Sequence, residues 1–290
     1  MKKIFDFFFI DKSRYSPLEN LADNSRQIDD WFYSHAEEAP NQILADLRQA
    51  NLELVSTVDQ TLNILDFGCG DGIMLASLAT KLDATGHGYD FFEIDQKLLQ
   101  KRFFDNNQIL LKERISFYQK DNFNFKNKYD FILSWSVIEH LDNLFEYLNQ
   151  VRELMSDNAV FYLQTWPLWN SSKGHHLFNI NVEPFLHLTL PKADDFFKHI
   201  DLNRKEIFTN EKSLTSHNNN YEEWRIAALE SYESCNRLKI EDIQFAIDKA
   251  KFKIIFFKPY FEDENFSSIP MGEKWSDFAI SGGRWILTKD

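Results

Sequence analysis

The chain has 290 residues, of which 43% are hydrophobic and 27% charged, as is typical of a folded protein with a full hydrophobic core. Its 32 basic and 45 acidic residues leave a formal net charge of −13 at pH 7, which argues against a protein that binds nucleic acid through its phosphates. The two cysteines, Cys69 and Cys235, exclude a disulfide framework and an all-cysteine zinc site, and they favour a cytoplasmic location.

The first 60 residues predict a helical cap. Trp31, Phe32, Ile43 and Leu47 recur at loosely helical spacing among polar residues. The apolar run near the start of the chain is interrupted by Asp6 and is much shorter than the ~20 residues of a membrane helix. We therefore expect neither a secretion signal nor a membrane span.

Short apolar strands and helices alternate from residue 61 to residue 166. Strands are predicted over residues 63–67, 86–90, 115–120, 129–135 and 159–165, and a helix over 240–251 precedes two last strands over 253–258 and 284–289. This alternation predicts an α/β fold of the Rossmann-like type, doubly wound, with a mostly parallel seven-stranded sheet. Ligands of such sheets bind beyond the carboxyl ends of the strands.

Residues 167–239 interrupt this alternation, and we expect them to form a substrate-side insertion after strand five. The predicted arrangement is a single domain in three parts. The cap covers residues 1–60, the core is built from residues 61–166 and 240–290, and the insertion lies over the ligand edge of the sheet.

A glycine-rich turn follows the first predicted strand. The strand ends at Asp66, and Gly68, Gly70 and Gly72 have the spacing G-x-G-x-G, with Cys69 as a small residue between the first two. The dinucleotide fingerprint would need its third glycine one residue later, and no Gly-Lys-Ser/Thr of a P-loop follows. Glycine lets a ligand approach the backbone because it has no Cβ, and amides at the start of a helix favour an anionic group.

This turn and the segment from Tyr129 to Leu141 resemble the motifs of class I S-adenosylmethionine-dependent methyltransferases of the small-molecule type. In that segment a strand beginning Tyr-Asp-Phe-Ile-Leu leads into Ser-Trp-Ser-Val-Ile-Glu-His-Leu. The resemblance implies S-adenosylmethionine as the cofactor. In some quinone-type relatives this segment helps to hold a metal ion, but the sequence supplies no clear second and third ligand, so we predict no metal site. The resemblance assigns the cofactor site to Asp66, Gly68, Cys69, Gly70, Gly72, Asp90, Phe91, Asp121, Asn122, Ser134, Trp135 and Ser136.

The resemblance also implies a role for each part of this site. Asp66 would serve the ammonium group of the cofactor, the turn amides would face its carboxylate, and Asp90 at the end of strand two would accept the ribose hydroxyls. Asp121 and Asn122 would contact the adenine, and Phe91 could cover its face. The residues from 134 to 136 would line the region of the transferred methyl group.

The predicted insertion opens with side chains suited to a polar acceptor. The candidates for substrate binding are Trp166, Trp169, Lys173 and His187. His140, His175 and His176 are the candidate catalytic residues, because a hydroxyl acceptor needs a base that titrates near neutrality. A weaker similarity to methyltransferases of surface-polysaccharide pathways favours O-methylation of a sugar, a nucleotide-sugar or a similar small polar metabolite.

Other functions stay open at this point. The same fold and cofactor would serve an N-methyltransferase or a quinone-type O-methyltransferase, since the tryptophans could stack on an aromatic ring or a cation as well as on a sugar. A module that binds S-adenosylmethionine without turnover is a further alternative, and the glycine spacing disfavours a dinucleotide oxidoreductase. We expect a small-molecule acceptor and no nucleic acid as partner, and the oligomeric state, including a homodimer, is left open.

Overall fold

The computed structural model describes residues 32–54, 61–107, 114–119, 122–178, 180–204, 221–262 and 278–290. One sheet contains β1 (Asn63–Phe67), β2 (Thr85–Tyr89), β3 (Ile115–Tyr118), β4 (Tyr129–Trp135), β5 (Met155–Thr165), β6 (Phe252–Phe261) and β7 (Ile280–Lys289). Its order is β3-β2-β1-β4-β5-β7-β6, with β1 to β5 parallel and β7 antiparallel to both of its neighbours. The predicted Rossmann-like α/β fold with a mostly parallel seven-stranded sheet is confirmed.

The described helices are α1 (Ala39–Gln49), α2 (Ile73–Lys81), α3 (Gln96–Asn107), α4 (Leu144–Leu154), α5 (Leu186–Thr189), α6 (Ala193–Leu202), α7 (Tyr221–Ser234) and α8 (Ile240–Lys249). A π-helical turn over Ser34–Glu38 leads directly into α1, so a helix is present in the predicted cap. Residues 1–31 of that cap lie outside the described residues. Among the helices that the structure describes, none is both long and apolar enough to cross a membrane.

The sheet is covered on both faces, as parallel strands require. On one face α4 and α8 pack over a core that includes Phe67 and Ile132. On the other face α1 and α2 pack over Ile64 and Leu133. Side chains of successive strand residues point to opposite faces, so β1 and β4 contribute to both cores. Because β1 to β5 are parallel, their carboxyl ends share one edge of the sheet, and the glycine turn, Asp90 and Ser136 lie at this edge.

The segment between β5 and α8 is packed by side chains of its own. Phe196 and Phe197 of α6 meet Tyr232 of α7, and Trp169 of the preceding loop joins them. The Tyr232 ring lies 4.8 Å from that of Phe196 and 5.3 Å from that of Trp169, measured between centroids. This cluster gives the predicted insertion a hydrophobic core separate from the two cores of the sheet.

Several elements differ from their predicted bounds, most of all at the starts of α4, β5 and β7. The helix expected from Glu139 begins at Leu144, because Asn143 caps it there by accepting a backbone hydrogen bond of 3.1 Å from its first turn. Ile138–His140 forms a separate 3₁₀ turn before that cap. β5 begins at Met155, earlier than predicted, because this residue already pairs with the start of β4 across a register shift.

A buried ion pair fixes α1 to the sheet. Asp46 of α1 is fully buried, and its Oδ2 accepts hydrogen bonds from Nε of Arg284 at 2.6 Å and from the hydroxyl of Tyr162 at 2.8 Å. Arg284 also donates through Nη2 to Oδ1 of Asp46 at 3.2 Å. Removing one partner would leave an uncompensated buried charge, which is strongly destabilising. The cap helix is therefore bound to β5 and β7.

Candidate active site

The glycine turn joins β1 to α2 through three residues in the left-handed region. The φ angles are +94° at Gly68, +53° at Gly70 and +78° at Gly72. A Cβ added at Gly68 would lie 2.4 Å from Cγ2 of Val137, and one at Gly72 would lie 2.6 Å from Cε1 of Phe117. At Gly70 no described atom lies within 4 Å of such a Cβ. Gly70 is therefore the point of the turn where a ligand can approach the backbone.

The backbone amides of the turn are used within the protein. Gly68 and Cys69 both donate to the carbonyl of Tyr89, at 2.8 and 3.1 Å, and Gly70 donates to Oδ2 of Asp90 at 2.8 Å. These three amides therefore have internal acceptors, and the contact of the turn with the carboxylate of the cofactor stays a prediction. The Cys69 thiol is buried, and burial raises its pKa well above the usual value, so this side chain packs the turn.

Three carboxylates surround the turn. Asp66 is the penultimate residue of β1 and is buried, Asp71 lies within the turn, and Asp90 follows β2. Burial, together with the negative charges of Asp90 and Asp71, raises the pKa of Asp66 well above its usual value. A positively charged group would relieve this repulsion, whereas a pyrophosphate would add to it. The electrostatics thus favour a cationic ligand over a dinucleotide.

Asp90 organises the end of β2. Its Oδ1 accepts from the amides of Phe91 at 2.7 Å and Phe92 at 3.2 Å, in addition to the bond from the glycine turn on Oδ2. The Phe91 ring is half-buried and lies edge-on to Tyr89 with centroids 6.1 Å apart. Asn122 is exposed in a turn after β3. The remaining predicted contact to the adenine, Asp121, lies outside the described residues.

Ser134 and Trp135 point to opposite faces of β4. Ser134 is fully buried beside the hydroxyl of Tyr147, on the face that α4 covers. The Trp135 ring stacks on that of Tyr162, with centroids 6.3 Å apart and planes at 5°, against the core under α1 and α2. This packing gives the Trp135 side chain a structural role, and the cofactor contact predicted for this residue stays a prediction.

Ser136 follows β4 with a left-handed φ of +53°. Gln164 of β5 holds it there, since its Oε1 accepts from both the amide and the hydroxyl of Ser136 at 3.1 Å. Gln164 is itself buried. The sequence analysis missed Gln164, because only the pairing of β4 with β5 brings it to the site.

Glu139 is a buried acid at the same edge of the sheet. Its Oε2 accepts from the hydroxyl of Thr165 at 2.9 Å, and the backbone of Trp166 also donates to the carboxyl group. Burial outweighs these bonds and raises the pKa of Glu139 to about 7. The site therefore contains an acid that titrates near neutrality, which the sequence analysis did not single out as a functional group.

Asn236, just before α8, holds the turn that carries Glu139 and His140. Its backbone N–H donates to the backbone carbonyl of Glu139 at 2.8 Å. Its side-chain Nδ2 donates to the backbone carbonyls of Ile138 and of Leu141, the latter at 3.0 Å. These contacts join residues almost a hundred positions apart in the chain. No local signal marks Asn236 as a site residue, so it too was missed as one.

Four histidines of the site region form two edge-to-face pairs. The ring centroids of His140 and His176 are 5.4 Å apart, as are those of His175 and His187. Burial lowers the pKa of all four, to about 4 for His140 and His187 and to about 3 for His175 and His176. All four imidazoles are therefore neutral at pH 7 and can accept a proton only through a nitrogen that is not already an N–H donor.

The hydrogen bonds of these rings separate their roles. Nε2 of His176 lies 2.9 Å from the carbonyl oxygen of Pro167, which can only accept, so Nε2 carries the ring proton and Nδ1 holds the lone pair. Nδ1 of His175 instead accepts from the amide of Leu177 at 3.0 Å. His176, next to His140, is therefore better placed than His175 to take a proton from an acceptor.

The residues predicted to bind the acceptor divide by exposure. Trp166 is 39% exposed, and Lys173 is also exposed. Trp169 is buried in the core of the insertion, under the guanidinium of Arg237, whose Cζ lies 5.0 Å from the ring centroid. His187 is fully buried, with Nε2 2.7 Å from the carbonyl oxygen of Trp169. Trp169 and His187 thus have packing roles, and the acceptor contacts predicted for them stay predictions.

Comparisons with known proteins agree with this geometry. The profile of a family described as Methyltransferase domain matches residues 33–255. A search of curated protein sequences returned no match. Phosphoethanolamine N-methyltransferase 2 from Haemonchus contortus, in complex with S-adenosylmethionine, is similar in structure with a TM-score of 0.51 and 12% identity, covering 94% of this chain and 60% of that chain.

Two further solved structures match at lower TM-scores. The plantazolicin methyltransferase BpumL in complex with S-adenosylhomocysteine has a TM-score of 0.45 at 16% identity and covers 100% of this chain and 98% of that chain. An S-adenosylmethionine-dependent methyltransferase from Clostridium acetobutylicum has a TM-score of 0.47 at 12% identity, with 92% and 99% of the two chains covered.

The strand order, the antiparallel β7 and the glycine turn after β1 define the class of S-adenosylmethionine-dependent methyltransferases with a Rossmann-like fold. The family profile spans most of the chain, and the chain belongs to the Methyltransferase domain family. It is an enzyme whose methyl donor is S-adenosylmethionine.

The residues of the turn fit this cofactor. Gly70 leaves open the volume that a Cβ would fill, and the buried carboxyl of Asp66 stands next to two further negative charges. The sulfonium and ammonium groups of S-adenosylmethionine are the positive charges that such a place favours. Asp66, Gly70 and Asp90 would hold the cofactor.

Proposed function

We propose that this enzyme methylates a hydroxyl group of a small polar acceptor, such as a sugar or nucleotide-sugar, with His176 as the general base. S-adenosylmethionine supplies an activated methyl group, and its transfer to a hydroxyl oxygen releases the hydroxyl proton. The contribution of the chain is to orient the acceptor, to exclude water and to take up that proton.

The observation that carries the proposal is the hydrogen bond from Nε2 of His176 to the carbonyl of Pro167. This bond places the ring proton of His176 on Nε2, so the lone pair of Nδ1 is the proton acceptor. Burial lowers the pKa of His176 to about 3, which keeps the imidazole neutral at pH 7 but makes it a weak base, so the step requires a counter-charge that stabilises the imidazolium.

The neighbours of His176 support the same step. His140 lies edge-on to it, on the turn that also carries Glu139. We infer that the ionised form of Glu139 supplies the negative charge that stabilises the imidazolium of His176 as it forms. The pKa of Glu139, about 7, keeps part of this group ionised at neutral pH.

The test uses two variants that each preserve one hydrogen bond. His176→Gln keeps a donor to the Pro167 carbonyl and removes the basic nitrogen. His175→Asn is the matched control and keeps the acceptor for the Leu177 amide. We expect kcat of His176→Gln to fall by about 10²- to 10⁴-fold with unchanged affinity for S-adenosylhomocysteine, while His175→Asn stays near wild type. Equal activity of wild type and His176→Gln would rule out this base.

The acceptor for these measurements is first identified by screening glycosides, nucleotide-sugars, phenols and amines for transfer of a labelled methyl group. Methylation of amines alone would contradict the proposal, because methyl transfer to a neutral amine removes no proton from a hydroxyl group. Binding of S-adenosylmethionine without transfer to any compound would favour the alternative of a non-catalytic module.

A further inference from the structure

A continuous row of four rings runs from the interior of the site to solvent. The centroids of His140 and His176 are 5.4 Å apart, those of His176 and Phe178 are 6.0 Å apart, and those of Phe178 and Trp166 are 5.5 Å apart. The first two rings are half-buried, whereas Phe178 is 53% and Trp166 39% exposed. The row therefore begins at the proposed base and ends at the surface.

Phe178 and Trp166 stack on each other with their planes at 19°. Each ring has one face covered by the other and a large part of its remaining area in water. Exposed aromatic side chains that lie together are a feature of ligand-binding surfaces. Phe178 was not among the residues that the sequence suggested for the acceptor.

The charges along the row indicate what it can bind. Both histidines are neutral because burial lowers their pKa. The acid at the inner end, Glu139, is buried and accepts a hydrogen bond from the backbone of Trp166. An anionic ligand bound to these rings would lie near the Glu139 carboxyl, and none of the four rings carries a positive charge. An uncharged ring, in contrast, could stack with its flat face on the rings of the row.

We propose that this row, formed by His140, His176, Phe178 and Trp166, is the acceptor-binding surface and that it takes an uncharged ring carrying the hydroxyl group to be methylated. The ring can be a sugar, through its C–H face, or an aromatic ring, through its π face. This inference rests on the proposed function, since it places the hydroxyl beside His176.

Binding is measured without turnover, on enzyme loaded with S-adenosylhomocysteine. Saturation-transfer NMR is recorded with methyl β-glucoside, catechol and phosphoethanolamine as probes, the last being acyclic and charged. We expect signal transfer to the ring protons of the glucoside or of catechol and none to phosphoethanolamine. The response of the two ring probes distinguishes a sugar from an aromatic acceptor.

Phe178→Ala is expected to weaken the binding of that ring compound by about 2- to 12-fold, the range typical of one aromatic contact. Phe245→Ala is the matched control, because Phe245 is also an exposed phenylalanine, at 68%, and lies on α8 outside the row. Trp166→Leu gives a second, independent variant of the row, with the same direction expected.

Equal ring binding by wild type and Phe178→Ala, binding of neither ring probe, or equally strong binding of phosphoethanolamine would each overturn the inference. Ring binding without methyl transfer would contradict the proposed function and leave the binding surface supported. In that case the ring compound binds, Phe178→Ala weakens it and Phe245→Ala does not, but no methyl group is transferred to it.

Discussion

Gly70→Ala separates cofactor binding from folding. Gly70 has a φ of +53°, which an alanine can adopt at a cost of about 1 kcal/mol, and no described atom lies within 4 Å of the added Cβ. The free energy of unfolding should therefore fall by about 1 kcal/mol. The methyl group would instead occupy the volume through which the cofactor approaches the backbone, so affinity for S-adenosylhomocysteine should fall about tenfold or more.

Gly68→Ala is the comparison for this prediction, since its Cβ would lie 2.4 Å from Cγ2 of Val137. Overpacking adds about 1–3 kcal/mol to the backbone strain, and the total loss of stability should be about 2–5 kcal/mol. Urea unfolding gives the stability of both variants, and calorimetric titration gives their affinity. A Gly70→Ala protein that binds S-adenosylhomocysteine as tightly as wild type would refute the placement of the ligand at this glycine.

Three further predictions address the strand ends and the turn after β4. Asp90→Asn should weaken S-adenosylhomocysteine binding by about tenfold to hundredfold, because an amide cannot replace a carboxylate that accepts three backbone N–H groups. Asp95→Asn alters only the cap of α3 and should leave this binding unchanged. Equal calorimetric titration curves for the two variants would contradict this prediction. For Glu139, the folded pKa of about 7 lies above the usual 4.5, so the proton stabilises the folded state and this contribution is lost as pH rises from 4.5 through 7. Relative to wild type, Glu139→Gln should gain up to about 3 kcal/mol of stability between pH 4.5 and pH 8 in urea unfolding, and a difference independent of pH would contradict the assignment. Asn236→Ala removes two hydrogen bonds to the turn of Glu139 and should cost about 1–3 kcal/mol and lower kcat with little change in affinity for S-adenosylhomocysteine. Asn203→Ala, which removes a bond to a helix carbonyl away from the site, should leave kcat unchanged, and equal kcat values in both variants would show that Asn236 does not position this turn.

The fold could be predicted because its signals are local. Each parallel strand is a short apolar run, and β1, β4 and their neighbours are found close to their predicted positions. The glycine turn was recognisable for the same reason, since the spacing of Gly68, Gly70 and Gly72 is a property of five consecutive residues. β5 was predicted too short because Ser156, Asp157 and Asn158 are typical of a turn, and only pairing with β4 extends the strand.

The acceptor side could not be predicted as well, because its geometry depends on contacts between distant parts of the chain. His175 and His176 are adjacent and alike in sequence, yet Nδ1 of His175 accepts from a backbone amide, whereas Nε2 of His176 lies next to a backbone carbonyl. Trp166 and Trp169 are similarly close, and the packing of α6 and α7 buries only the second. Nothing local distinguishes them.

The most direct test of the account is to identify the bond that the enzyme forms. The enzyme is incubated with S-adenosylmethionine carrying a ¹³C-labelled methyl group and with the glycosides, phenols and amines of the panel, and carbon NMR of the products distinguishes a methyl ether from an N-methyl group. The account predicts a methyl ether on an uncharged ring compound, formed by wild type and at least a hundredfold more slowly by His176→Gln. An N-methyl product, or a methyl ether formed equally fast by both proteins, would contradict it.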